Sequence, residues 1–165
     1  MFFNNEASMN AYHSRKTSQH SKKGKLEQFL QGLPVGQIPF GYTMLRDAEG
    51  ESNRKVPPVP IELEAAAVRK AFLDRALGRG FEEMAREWNA HGLRSQSGRP
   101  FTRRTLQVIL ENPFYKGFVS HYGELRQGLH EPLVTEDEWA DAQLPKVRVV
   151  RKRLPPLLAQ GLATC

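Results

Sequence analysis

The stretch GRPFTRRTLQVILENPFYKG, residues 98–117, decides the fold because it carries its own helix boundaries. The hydroxyl group of Thr102 can cap a helix and Pro113 cannot continue one, so the sequence predicts a helix over residues 102–111. Apolar residues at helical spacing predict its buried face: Leu106, Ile109 and Leu110. The opposite face carries polar side chains: Arg103, Arg104 and Gln107. The following Phe114 and Tyr115 are predicted to fill the core.

The polar face of this helix suits the major groove of DNA. Arginine pairs with the O6 and N7 atoms of guanine, and glutamine pairs with N6 and N7 of adenine. The preceding segment 91–101 adds side chains that can contact phosphates or base edges: Arg94, Ser95, Gln96, Ser97 and Arg99. An ordinary solvated face is the alternative, and helical spacing alone leaves both interpretations open. Over residues 94–117, Glu111 is the only acid among five basic residues, which favours an anionic partner.

We predict two groups of DNA-binding residues. The major-groove group comprises Arg99, Arg103, Arg104 and Gln107. The second group, for phosphates or the minor groove, comprises Arg15, Lys16, Lys22, Lys23, Lys25, Arg94, Ser95 and Ser97. Its first five members lie in the acid-free segment 13–25, which suits an arm that tracks DNA. Taken alone, that segment is better explained as a charged helix that faces solvent.

Three further helices are predicted before the opening stretch, over residues 5–31, from Pro60 to about residue 77, and over 81–90. The second is expected to bury its apolar residues: Ile61, Ala65, Val68, Phe72, Leu73, Ala76 and Leu77. Between the first two, the glycines and prolines of GLPVGQIPFGY exclude a helix, and Phe40 and Tyr42 are expected to anchor this segment to the core.

Residues after the opening stretch predict a small β-hairpin that turns at Tyr122-Gly123, and then a short helix. Thr135 caps that helix, and Glu138 occupies the capping-box position. The predicted fold class is α+β, mainly α. It is a small helix-turn-helix-like domain with a short β-hairpin, preceded by a long connecting helix.

Composition limits the classes of function. Lysine and arginine number 24 against 18 acids, a net charge of +6, which suits an anionic partner. Cys165 is the only cysteine, so no intrachain disulfide or CxxC metal pair can form. Without a secretory signal or a membrane-length apolar run, the chain is expected to be cytoplasmic, with no membrane partner. The five histidines show no metal spacing, and we expect no metal and no cofactor.

Four segments together resemble a known family. They are GLPVGQIPFGY, GRGFEEMAREWNAHGLRS, FTRRTLQVILENPFYKGFV and LHEPLVTEDEWADAQ. In this order and spacing they resemble the DNA-binding recombinase domain of large serine recombinases, the phage integrases and mobile-element transposases of the resolvase/invertase superfamily. The resemblance extends from about Asn10 to Leu144.

The resemblance implies a domain organisation and a mode of DNA binding. Residues 1–31 correspond to the C-terminal part of the helix that leads from a catalytic domain, residues 32–144 to the recombinase domain, and residues 145–165 to a basic linker and the start of a zinc ribbon. Helix 102–111 would enter the major groove of an attachment half-site. Segment 33–42 and the end of the first helix would approach the minor groove.

The resemblance also implies how the full-length protein works. It would be a serine site-specific recombinase that integrates DNA, dimeric on each attachment site and tetrameric in the synapse. The catalytic domain and the zinc ribbon do not occur in these residues, so the chain is expected to bind double-stranded DNA and not to cut it. No aspartate or glutamate lies between Ala7 and Leu26, and an exposed helix offers no pocket for a nucleophilic Ser14 or Ser18, so no catalytic residue is predicted. The alternatives are a recombinase remnant that binds another protein, or an independent helix-turn-helix regulator of transcription.

Overall fold

A computed structural model describes residues 4–144 of the chain, with the backbone alone for residues 4–12. Five α-helices, a 3₁₀ helix and two two-stranded antiparallel sheets make up this part of the chain. Their bounds are α1 Asn4–Leu30, β1 Tyr42–Thr43, β2 Val59–Pro60, α2 Glu62–Ala76, α3 Phe81–Ala90, α4 Arg103–Glu111, the 3₁₀ helix Pro113–Lys116, β3 Phe118–His121, β4 Glu124–Gln127 and α5 Glu136–Gln143. The predicted α+β, mainly α class is confirmed. The predicted basic linker and ribbon start lie outside the described residues.

One core joins the helices of the domain. Helix α2 packs against α5, α3 packs against α4, and α4 also contacts α5. Tyr115 lies at the centre with no exposed surface, and its hydroxyl group donates a hydrogen bond of 2.8 Å to the carbonyl oxygen of Phe40. The backbone carbonyl of Tyr115 accepts from the amides of Leu133 and Val134, which lead into α5. Phe114 and Tyr115 therefore fill the core, as predicted.

Pro60 does not begin a helix, and that prediction is wrong. It lies in strand β2, opposite Tyr42 of β1, and α2 begins two residues later at Glu62. Pro57 and Pro58 hold this segment extended, and a residue that precedes proline, as Val59 does, also favours an extended backbone. The fixed φ of proline suits both a first helical turn and an edge strand, so the tertiary pairing decided between them.

The predicted apolar face of α2 is also partly wrong. The helix buries Ala65, Val68, Ala71 and Phe72. Leu73 and Leu77 are instead 55% and 83% exposed. A residue next to a buried one is rotated by about 100° around an α-helix, which carries Leu73 away from the face that holds Phe72.

The two local predictions after α4 are confirmed. Strands β3 and β4 pair antiparallel with His121 opposite Glu124. The turn residues Tyr122 and Gly123 have φ of 48° and 86°, as expected for a type I′ turn in a two-residue hairpin. Thr135 and Glu138 form the predicted reciprocal capping box at the start of α5.

Candidate nucleic-acid interface

Helix α4 has well-defined ends. The hydroxyl group of Thr102 accepts a hydrogen bond from the amide of Thr105, and the Thr105 hydroxyl accepts one of 2.7 Å from the Thr102 amide. At the other end, the Asn112 side-chain oxygen accepts from the amide of Phe114 and starts the 3₁₀ helix. Thr102 thus caps the N-terminal end, and near the C-terminal end the Gln143 side chain of α5 donates a 2.7 Å hydrogen bond to the Leu110 carbonyl. The helix covers nine residues, Arg103–Glu111.

The buried face of α4 holds the helix against the core. Leu106 and Leu110 are almost fully buried, and Ile109 is partly buried against them. Immediately before the helix, the Phe101 ring lies 4.9 Å from the rings of both Trp88 and Phe40, edge-on to each. Edge-to-face aromatic contacts add to the free energy of burial, so this cluster fixes the position at which α4 begins.

Asn89 of α3 makes a second, polar connection to the start of α4. Its side-chain oxygen accepts a 2.8 Å hydrogen bond from the Phe101 amide, and its side-chain nitrogen donates a 2.8 Å hydrogen bond to the Phe101 carbonyl. The Asn89 side chain thus satisfies both the backbone N–H and the backbone carbonyl of Phe101. The two helices are pinned at a fixed mutual angle by the Phe101 side chain on one side and its backbone on the other.

The segment between α3 and α4 forms a tight turn over residues 95–99. The Ser95 amide and hydroxyl group both donate to the carbonyl of Arg99, and the Ser95 hydroxyl also accepts from the Arg99 amide. The Ser97 hydroxyl lies 3.1 Å from that of Ser95. Ser95 was predicted to contact DNA, but its hydrogen-bonding groups are used here to close the turn.

Three of the four predicted major-groove residues have exposed side chains without a partner among the described residues. The side chains of Arg99, Arg103 and Arg104 face solvent, and none forms a hydrogen bond or an ion pair with any described residue. Three guanidinium groups thus project from the turn and the first turn of α4. Each has five N–H donors, and none of these is satisfied by the rest of the described chain.

Other predicted residues are engaged in the fold. Arg94 donates through Nη1 to the carbonyl oxygens of Asn89 and Leu93 and so caps the end of α3. Gln107 is half-buried and donates a 2.7 Å hydrogen bond to the carboxylate of Glu111 one turn later. This bond uses one of the two N–H donors of the Gln107 amide and leaves its other donor and its oxygen available.

Sequence reasoning missed the contribution of Gln96 as a structural clamp. Its side-chain nitrogen donates a 2.8 Å hydrogen bond to the Ile38 carbonyl, and its side-chain oxygen accepts a 2.9 Å hydrogen bond from Gln37. These bonds join the turn 95–99 to the glycine-rich segment that precedes β1. No local pattern marks such a contact between residues 58 and 59 positions apart in the chain.

A groove of about 380 Å³ runs along α4 beside this clamp. Its walls include Ile38, Gln96, Arg104 and Val108. Val108 is 48% exposed, which leaves an apolar side chain on the solvent side of the helix. The sequence analysis did not single it out, although its place four residues after Arg104 puts it on the exposed face.

The predicted basic arm is exposed along α1. Arg15, Lys16, Lys22, Lys23 and Lys25 all face solvent. Lys23 lies 4.0 Å from Glu27, and the other four make no hydrogen bond or ion pair with described residues. At about 100° per residue these five side chains cover roughly half of the helix circumference. The arm therefore presents a broad cationic side and not a narrow stripe.

One group of basic residues elsewhere in the fold is neutralised by acids. Between α2 and α3, Lys70 and Arg79 both bind Glu87, at 2.6 Å and 2.8 Å. Lys70 and Arg79 also bind Asp74. Hydrogen bonds from Lys70 and then Arg79 lower the pKa of Glu87 below its ordinary value. The unpaired arginines of α4 differ from these in having no acid beside them.

Two further classes of site do not occur in the described residues. Over residues 13–144, whose side chains are described, no group of three or more histidine, cysteine, aspartate or glutamate side chains is placed to hold a metal ion. None of the described helices is long and apolar enough to cross a membrane.

Fold and site define a class: a small α+β module that holds an arginine-bearing helix at a fixed angle on a helical core. The sequence profile of the Recombinase family matches residues 62–145, just over half of the chain. The chain belongs to the Recombinase family, as the resemblance in its sequence predicted.

Two solved structures share the fold. One is the crystal structure of a complex between a large serine recombinase (LSR) and DNA, with a TM-score of 0.58, 20% identity and 75% of this chain covered. The other comes from work on the sequence requirements of the Listeria innocua prophage attP site, with a TM-score of 0.59, 20% identity and 75% covered. This chain spans only 36% and 49% of those two chains. No curated protein sequence matches it.

Proposed function

We propose that the chain binds double-stranded DNA at an attachment half-site, as the DNA-binding part of a serine site-specific recombinase. The observation that carries the proposal is the set of three unpaired guanidinium groups, Arg99, Arg103 and Arg104, on a rigidly held helix start. Guanidinium groups bind guanine and phosphate in the bidentate manner that DNA recognition requires.

The dimensions of α4 suit the major groove. An α-helix with its side chains is about 10–12 Å in diameter, and the major groove of B-form DNA is about 12 Å wide. Arg103 and Arg104 lie at the N-terminal end of the helix, the end that commonly contacts base edges in helix-turn-helix proteins. Val108, exposed on the same face, can contact a thymine methyl group.

The comparisons support the choice of partner. The chain belongs to the Recombinase family, and a large serine recombinase of the same fold is known in complex with DNA. We propose that residues 1–31, 32–144 and 145–165 correspond to the connecting helix, the recombinase domain and the start of a zinc ribbon. The full-length protein would act in the prokaryotic cytoplasm, as a dimer on each site and a tetramer in the synapse. Strand cleavage would belong to a catalytic domain outside these residues.

The first test begins with selection of bound sequences from a pool of random duplexes. Arg103→Ala should then weaken binding to the selected duplex by about 1–3 kcal/mol and relax the preference at one base position. The matched control is Arg86→Ala, which removes an exposed, unpaired arginine from α3. It should leave both affinity and preference as in the wild type.

Two outcomes would count against the proposal. If Arg103→Ala and Arg86→Ala weaken binding equally on selected and scrambled duplexes, Arg103 contacts only the phosphate backbone or acts through net charge. If the wild-type chain binds no duplex at about 50 mM salt, where phosphate contacts are strong, the chain is not a DNA-binding module.

A further inference from the structure

A second cavity lies on the other side of the Gln37–Gln96 clamp. It has a volume of about 410 Å³. The residues around it include several with polar side chains: Gln37, Tyr42, Thr43, Arg46, Ser52, Arg54 and Gln96. No carboxylate lines it. The Gln37 and Gln96 amides already donate within the clamp, and the Thr43 hydroxyl donates to the Met44 carbonyl at 3.5 Å. The two guanidinium groups and the Ser52 hydroxyl group around this open cavity still form a site suited to an anion with several acceptor oxygens.

The two arginines in this cavity are positioned by the backbone. Arg46 donates through Nη1 to the Gly50 carbonyl at 2.7 Å, and Arg54 donates through Nη1 to the Gly36 carbonyl at 3.3 Å. These single bonds orient each guanidinium group and leave its other donors available. Carbonyl groups carry no net charge, so both arginines keep their full positive charge at the cavity.

The acids of the same loop do not neutralise these arginines. Neither Arg46 nor Arg54 forms an ion pair within the described residues. Asp47 instead accepts the amide of Glu51 at 2.8 Å and so closes the loop tip. An isolated antiparallel β-bridge pairs the backbone of Arg46 with that of Ser52 and holds the two sides of the loop together at the cavity.

We propose that this cavity binds a phosphodiester group of the same DNA duplex that α4 contacts. The proposal rests on the proposed function and adds a second contact site to it. Three residues, Gln37, Ile38 and Gln96, line both this cavity and the groove beside α4. The two sites are thus immediate neighbours, separated only by the clamp. In this proposal, the DNA strand that passes along the α4 groove continues past the clamp, where its next phosphates lie beside the Arg46 and Arg54 guanidinium groups.

The clamp gives the pair of sites a fixed spacing. Gln96 is hydrogen-bonded to both Gln37 and Ile38, which ties the cavity wall to the turn that precedes α4. Phosphate contacts carry no sequence information, but they set the register of a protein along the duplex. The cavity thus defines which base pairs the α4 arginines can reach.

The experiment measures duplex affinity as a function of salt concentration for the chain with Arg46→Ala and Arg54→Ala combined. Binding to selected and scrambled duplexes should weaken by the same factor, and the slope of log affinity against log salt should flatten by about 0.9 for each phosphate that the variant no longer neutralises. The matched control, Lys55→Ala, removes a positive charge from the same loop outside the cavity. It should keep the wild-type slope. Arg54→Lys, which keeps the charge, should fall between wild type and Arg54→Ala.

Failure of this proposal is distinguishable from failure of the proposed function. If Arg103→Ala impairs binding while the double variant keeps the wild-type affinity and slope, the chain binds DNA but the cavity does not contact it. If Lys55→Ala flattens the slope as much as Arg54→Ala does, the effect is general charge and the cavity is not a site. Circular dichroism of each variant separates these outcomes from loss of folding. If the wild type binds no duplex, both proposals are overturned.

Discussion

His130 shows what burial does to a single titratable residue in this fold. Its ring is stacked on that of Phe114, with centroids 3.7 Å apart, and its Nε2 atom lies 2.7 Å from the Phe114 carbonyl oxygen. Because a carbonyl oxygen only accepts, Nε2 carries the proton of the neutral ring. Nδ1 is buried with no hydrogen-bond partner among the described residues. Desolvation by burial lowers the pKa of His130, against a smaller opposing effect of its backbone hydrogen bond.

This depressed pKa predicts loss of stability on acidification. Above the unfolded-state pKa of about 6.5, histidine is neutral in both states and its contribution to stability is complete. As the pH falls below that value, the unfolded chain takes up a proton that the folded chain resists, and the free energy of unfolding decreases by at most about 1.4 kcal/mol per pH unit. Urea unfolding between pH 7.5 and 5 should show this decline, and His130→Gln should flatten it. The same slope in both proteins would contradict the assignment.

At the level of single residues, sequence predicted which side chains are basic and exposed but not which are already bonded. Arg103 and Arg104 were predicted as readers and lie free on α4. Ser95 and Arg94 were placed in the same interface, yet their donors close a turn and cap α3. Such bonds depend on backbone geometry that residue identity does not specify. Whether the free arginines contact DNA stays a prediction.

Helix α4 is too short to be stable alone, and its contacts with α3 set its orientation. A helix of nine residues is marginal in isolation, so tertiary contacts must hold it. The contacts that do so are the Phe101 cluster with Trp88 and Phe40, and the double hydrogen bond from Asn89. We therefore regard α3 and α4 as one unit, in which the position of the arginines is set outside the helix that carries them.

Asn89→Ala tests this unit. It removes two hydrogen bonds from the partly buried Phe101 backbone, and leaving those groups unsatisfied should cost about 1–3 kcal/mol of unfolding free energy in urea denaturation. Duplex affinity should also fall under conditions where the variant stays folded, because the start of α4 is no longer fixed. Leu77→Ala, which truncates a side chain that is 83% exposed and lies outside the proposed DNA-binding surface, is the control. Full DNA affinity in a destabilised Asn89→Ala would show that α4 keeps its orientation without this contact.

Helices and the hairpin were predictable because their signals are local. Thr102 and Thr135 cap the helices that they were expected to cap, and Tyr122-Gly123 turns the hairpin. The pair of short strands that includes Pro60 was not predictable. A two-residue strand has no periodicity, and its partner lies 18 positions away in the chain. Pairing of this kind is visible only once the core has brought the segments together.

At the scale of the whole molecule, a joint at the C-terminal end of α1 connects the basic arm to the domain. The C-terminal end of α1 packs on the hairpin. Phe29 is buried in the core, and Arg126 of β4 donates a 2.8 Å hydrogen bond to the Leu30 carbonyl. Gly32 follows with φ of 72°, and its carbonyl accepts from the Leu129 amide. The direction in which the basic arm leaves the domain is therefore fixed by this joint.

A fixed arm and a fixed α4 can bind one duplex together only if the joint is intact, and Gly32→Ala tests this. An added Cβ would lie 2.8 Å from the Gln127 carbonyl oxygen, and the left-handed backbone would cost alanine about 1–2 kcal/mol, so the joint must shift. We expect weaker binding to all duplexes with unchanged sequence preference. Gly78→Ala is the control, because it is also left-handed but its Cβ meets no neighbouring atom.

A double-mutant cycle tests the arm by combining Gly32→Ala with the paired substitution Lys22→Ala and Lys23→Ala. Removal of the two lysines should weaken binding to selected and scrambled duplexes alike and flatten the salt slope by about 0.9 for each phosphate left without its lysine. If Gly32→Ala acts by displacing the arm, it should have little further effect once those lysines are gone, and the cycle should show strong non-additivity. Additive losses would instead mean that the glycine acts through the stability of the domain. An unchanged salt slope in the lysine variant would show that the arm faces solvent and not DNA.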